Sequence, residues 1–84
     1  MNFQENEFRT AFAAGAIREV VAIGSADGFH LRIVPRQGEA GMLYSRRQMR
    51  RFASLQTLAA YLHAEGVRLW CVDAANWQPR QRGL

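Results

Sequence analysis

The stretch "FHLRIVP", residues 29–35, limits the folds open to this chain more than any other. Phe29, Leu31 and Ile33 alternate with His30, Arg32 and Val34, the period of two in which successive side chains leave opposite faces of a pleated strand. Before it stands Asp27-Gly28, a dipeptide favoured where a tight hairpin needs positive φ. Before that, "IREVVAIG" sets Ile17, Glu19, Val21 and Ile23 against Arg18, Val20 and Ala22. A hairpin with one core face and one wet face is therefore expected at the centre of the fold, with Pro35 ending its second strand.

The flanking segments have helical and strand signatures in turn. Phe8, Ala11 and Phe12 follow helical spacing up to Gly15, which predicts a short helix over about residues 6–14 with Asn6 as N-cap and Glu7 at the positive end of its dipole. After the turn region "RQGEAG", "MLYSRR" is expected to be a third strand and "QMRRF" a short fourth, across a bend near Arg47-Gln48. Ser54 is placed to cap a helix whose Leu55, Leu58, Ala59 and Leu62 form an i, i+3, i+4, i+7 stripe, with all three leucines expected to be buried and Gly66 as the stop. "VRLWCVDA" supplies the last strand. The expected fold is a single α+β domain over residues 1–78: a short N-terminal helix and an antiparallel sheet of four to five strands, with one main helix packed on one face. Residues 79–84 read as a flexible C-terminal tail.

With 84 residues there is room for one core only, and 49% hydrophobic content is too apolar for a disordered chain. A domain this small gains from covering its strand edges, so a homodimer is expected. The apolar runs fall far short of the roughly 20 residues of a membrane-spanning helix. "MNFQENEFR" carries acids where a signal peptide carries positive charge. A cytoplasmic protein with no membrane contact is the expectation.

The residue inventory favours binding over catalysis. Cys71 is the single cysteine and is expected to be a buried, inert thiol. With only His30 and His63 beside it, no zinc-ligand spacing exists, and no metal or cofactor is expected. His30 falls on the wet side of its strand and His63 near a helix C-terminus, and both are taken as structural. The 7 carboxylates form no acid-base pair, and no phosphate-cradling glycine loop or nucleophile elbow is present. The chain is expected not to be an enzyme and to take no small-molecule substrate.

The strongest local feature is "YSRRQMRRF", residues 44–52, which places Arg46, Arg47, Arg50 and Arg51 between Tyr44 and Phe52. Every one of the 11 basic residues is arginine, and the net charge is +4. Three readings stand open: a charged strand edge that deters aggregation, a protein-docking face, or a nucleic-acid contact in which arginines meet phosphates and the aromatics stack on bases. If this segment stays extended, Arg46 and Arg50 share a side with Tyr44 and Phe52, while Arg47 and Arg51 point the other way with Met49. Trp77, just before Pro79, is expected to fold over a sheet edge or to anchor a partner.

Arg51-Phe52, the Ser54-Leu55 helix start, the leucine-rich helix through Leu62 to Gly66, and the strand closing in Val72-Asp73 together resemble the ParC family of small partition-associated proteins of bacterial plasmids. "EFRTAFAAGAIREV" is similar to that family's opening, so the resemblance spans nearly the whole chain. Where a glycine is expected in the bend between the two arginine-bearing strands, this chain has Arg47-Gln48. The resemblance implies a non-enzymatic accessory role in plasmid partition and maintenance, through protein contact with a partition ATPase or a centromere-binding protein. The expected partner-binding residues are Tyr44, Arg46, Arg47, Arg50, Arg51, Phe52 and Trp77. The alternative is a small nucleic-acid-binding module of a plasmid regulatory system.

Overall fold

The computed structural model describes residues 2–78; the segment 79–84, expected to be a tail, lies outside them. The elements run β1 (Asn2–Gln4), α1 (Glu5–Ala13), β2 (Ile17–Ser25), β3 (Gly28–Pro35), β4 (Gly41–Ser45), β5 (Gln48–Met49), α2 (Leu55–Ala64) and β6 (Cys71–Asp73). The domain is α+β, with two helices on one mixed sheet of six strands in the order β1-β4-β3-β2-β6, β5 pairing with β4.

The central hairpin forms as the alternation demands. Ser25 pairs with Gly28 and Ala22 with Leu31. Phe29, Leu31 and Ile33 enter one core with Phe8 of α1 and Leu58 and Leu62 of α2, so both helices cover the same sheet face. A register irregularity between Ile17 and Glu19 puts Ile17 on the core face with Val20 and Ala22, not with Glu19 and Val21 as strict alternation had it. One extra residue in a strand reverses the facing of everything before it.

The expected antiparallel sheet is instead mixed, and the helices explain why. A helix laid across a sheet carries the chain back to the end where the preceding strand began, so the next strand runs parallel to that one. Residues β1, α1 and β2 make one such crossover. Phe52, bridged antiparallel to Phe29, then α2, then β6 make a second. Hence β1 is parallel to β4, and β6 is parallel to β2. The three-residue β1 was not anticipated, since Phe3 is its only apolar residue.

Helix boundaries moved little. Helix α1 starts one residue earlier than expected, and its N-cap is Gln4, whose amide N–H donates to the Glu7 carboxylate at 2.8 Å; Asn6 is inside the helix. Ser54 caps α2 as anticipated, its hydroxyl accepting from the Thr57 amide at 3.2 Å. Leu58 and Leu62 are buried, but Leu55, in the first turn, is 37% exposed. Cys71 is exposed, because β6 is an edge strand rather than a covered one. No helix among the described residues is long and apolar enough to cross a membrane.

Leu58→Ala is expected to cost about 2–5 kcal/mol in urea denaturation, and Leu55→Ala less than about 0.5 kcal/mol, because only the first leaves a cavity in a closed core.

Candidate functional site

Strands β1, β2, β4 and β6 run in one direction, so their C-terminal ends share one end of the sheet. That end collects the β2–β3 turn, the β4–β5 turn, the start of α2 and the segment after β6. The arginine stretch and Trp77, distant in sequence, thus become neighbours by topology.

Strands β4 and β5 form a hairpin whose two-residue turn is Arg46-Arg47, one residue earlier than expected. Arg46 has φ 61° and is the one non-glycine residue with positive φ among those described. Glycine is the usual residue there. In its place Gln4 holds the turn, its side-chain amide donating to the Arg46 carbonyl at 2.7 Å. The missing glycine noted in the sequence is therefore answered by strain and a clamp from β1.

The hairpin ends the strict parity expected for the arginines and gives each its own surroundings. Arg46 and Arg47 are exposed at the tip. Arg50 turns inward over the sheet: its guanidinium lies 4.8 Å from the Phe52 ring centroid and 5.3 Å from that of Tyr61, and it pairs with Glu5 at 2.9 Å. Arg51 leaves on the other side and donates to the Asp27 carbonyl in the β2–β3 turn. Phe52 is 1% exposed and belongs to the core. Tyr44 alternates with buried Leu43 and sits half-buried on the sheet face without helices. Of the seven expected binding residues, the structure leaves Arg46, Arg47, Arg51 and Trp77 available at one end, while Arg50 and Phe52 are occupied in holding the frame.

Trp77 folds back across Gly24 and stacks on Phe29, ring centroids 6.4 Å apart at 26°. A Cβ on Gly24 would come within 2.7 Å of the Trp77 Cβ, so the absence of a side chain there admits the indole. Phe29 and Trp77, with Leu55, Val72, Ala26 and Ala74, line an open groove of about 1100 Å³, and Arg51, Asp27, Ser25 and Ser54 supply its polar groups. Leu55 was expected to be buried and Val72 was read only as part of the last strand; nothing in the sequence marked them as groove residues, since the groove exists only once α2 and β6 meet.

A second concavity lies beside it, lined by Ser45, Arg46, Arg47, Gln48, Arg50 and Arg51. Arg51 lines both. None of the residues lining the second is acidic. In the first, the hydroxyl of Ser25 donates to the Asp27 carboxylate at 2.6 Å, and this bond holds Asp27 below the usual carboxylate range. Among the described residues no group of three or more His, Cys, Asp and Glu is placed to hold a metal ion. His30 Nδ1 donates to the Arg50 carbonyl at 3.0 Å, and His63 contacts Arg68 at 3.1 Å.

Compared with protein-family models, with curated proteins and with solved structures, the chain matches none.

Two measurements check the division among the arginines. Arg50→Ala is expected to lower stability by about 1–2 kcal/mol, the sum of a partly exposed ion pair and a cation–π contact. Arg46→Gly is expected to leave stability unchanged or raise it by up to about 1 kcal/mol, as the relieved left-handed strain offsets the extra glycine entropy.

Tyr61, beneath Arg50, has a buried hydroxyl with no partner among the described residues, and burial pushes its phenol up to about 12. The folded state thus keeps the proton longer than the unfolded chain does. Its contribution is complete below the ordinary phenol value of 10.0 and is lost as pH rises from there to about 12. Tyr61→Phe is expected to flatten the fall in urea midpoint over that window and to cost nothing at neutral pH, because it removes an unsatisfied polar group.

Proposed function

We propose that the protein is a non-enzymatic accessory factor of a bacterial plasmid partition and maintenance system, acting by protein–protein contact through the end of the sheet that carries Arg51 and Trp77. The observation that carries this reading is the groove. Three of the large apolar side chains exposed in this domain, Leu55, Val72 and Trp77, gather around it over a Phe29–Trp77 stack. Exposed apolar side chains scattered singly need no explanation, but a cluster rimmed by polar groups marks an interaction surface. Tryptophan and arginine are also the residues that most often dominate interface energetics.

The plasmid context rests on the family resemblance of residues 51–73 and of the N-terminal segment, and the partner it implies is a partition ATPase or a centromere-binding protein. The role fits a sheet end at which no acid-base pair is assembled among the described residues: the protein would alter a partner's binding rather than perform chemistry.

The test combines binding and salt. The purified chain is titrated with the partition ATPase and, separately, with the centromere-binding protein of the same replicon, and with duplex DNA. Binding to one protein is expected, with Trp77→Ala costing roughly 2 kcal/mol or more. DNA binding at physiological salt is expected to be negligible. A log–log salt slope of about −3 to −4 on duplex DNA, reduced by about one for each arginine replaced, would instead assign the arginines to phosphates.

A further inference from the structure

Resting on that reading, we infer that the partner element recognised here is an acidic peptide segment followed by a bulky apolar residue, with the carboxylates in the arginine-lined concavity and the apolar side chain in the Phe29–Trp77 groove. The two concavities adjoin at Arg51, which lines both. One has arginine and neutral polar walls with no acid among them. The other has a mainly aromatic and aliphatic lining with Asp27 the one acid in its wall, which suits an apolar side chain and not a further carboxylate.

Charge complementarity selects the acidic half. Arg46 and Arg47 stand at a turn whose backbone is fixed by the Gln4 clamp, so the two guanidiniums have a defined base. Arg51 is placed by the Asp27 carbonyl, which accepts from one of its nitrogens and leaves the others for a ligand. Arg51 lies in the field of the Asp27 carboxylate but forms no salt bridge with it, so its free nitrogens can still pair a ligand carboxylate bidentately. Arg50 differs: it is already paired with Glu5. The predicted division is therefore three arginines for the ligand and one for the fold.

The same end argues against a nucleic-acid strand. Ionised Asp27 stands in the groove wall, so a phosphate chain running from the arginines into the groove would bring successive negative charges past a fixed carboxylate. A peptide whose charge ends where the groove begins avoids that repulsion. Like-charge juxtaposition is a strong discriminator between partners.

The experiment is selection from a phage-displayed random peptide library on the full 84-residue chain, followed by titration of the enriched peptides as synthetic, labelled molecules. Enriched sequences are expected to carry two or more Asp or Glu beside a Trp, Phe, Leu or Ile. Arg51→Glu and Arg47→Glu are each expected to weaken binding about ten-fold or more, and Trp77→Ala at least as much. Leu69→Ala, at an exposed side chain outside both concavities, is expected to change nothing. Because Trp77→Ala also removes the stack on Phe29, circular dichroism is compared for each variant, and the two arginine reversals stand on their own if it unfolds. Enriched peptides that need Trp77 but carry no acidic residues would overturn the inference while leaving a protein-binding groove. No enrichment, with tighter binding of an oligothymidine that the same arginine variants abolish, would overturn both. Sedimentation showing that the free chain is a dimer closed through Trp77 would overturn the inference in favour of a second copy as occupant.

Discussion

The antiparallel bridge between Phe29 and Phe52 is the contact on which the rest of this domain depends. Each amide donates to the other's carbonyl, at 2.9 and 2.8 Å, and Gly28 permits the approach because a Cβ there would lie 2.6 Å from the Phe52 carbonyl oxygen. The bridge drops the Phe52 ring into the core, where a fully buried aromatic side chain contributes about 1.5–3 kcal/mol. It also fixes the direction from which α2 departs. Without it the chain after the β4–β5 hairpin would be a loop, and neither the start of α2 nor the edge strand β6 would have a defined place.

A consequence is that one short segment does two jobs with alternating residues. Arg50 and Phe52 face the helices, where ring, guanidinium and Glu5 close over Tyr61. Arg51, between them, must point outward and lands on the Asp27 carbonyl. Inward-packed and outward-facing arginines are therefore separated by the geometry of an extended chain rather than by distance. The pairing of Arg9 with Glu65 at 2.9 Å, which joins the middle of α1 to the C-cap of α2, is remote from this end and partly exposed, where such pairs contribute little.

The parts legible in the sequence were those governed by local periodicity: the β2–β3 hairpin from its alternation, although its turn falls at Ala26-Asp27, one residue before the Asp27-Gly28 signal, and the buried stripe of Leu58 and Leu62 behind the Ser54 cap. The mixed sheet was not legible as such, because strand direction is set by how many helices intervene and which edge the chain reaches, and neither leaves a mark on composition. Cys71 looked like a core residue because apolar identity carries no information about whether a strand is central or an edge, and Leu55 because helical spacing does not show that the first turn overhangs the sheet. The arginine stretch was visible from its density alone. Its division was not, since the turn fell at Arg46-Arg47 without the glycine that would have announced it, held by a glutamine 42 residues earlier in the chain. The groove was hidden for the same reason, being assembled from the β2–β3 turn, the first turn of α2 and the segment after β6.

Amide hydrogen exchange at Phe29 and Phe52 tests the central claim most directly. If their bridge anchors the arginine segment, both amides should exchange only through global opening, at rates matching the slowest amides of β2 and β3. The Arg47 amide, at the hairpin tip, should exchange far faster. Exchange at Phe52 as fast as at Arg47, with β2 and β3 still protected, would contradict the account: the arginine segment would then open independently of the sheet, and no fixed division of its side chains would hold.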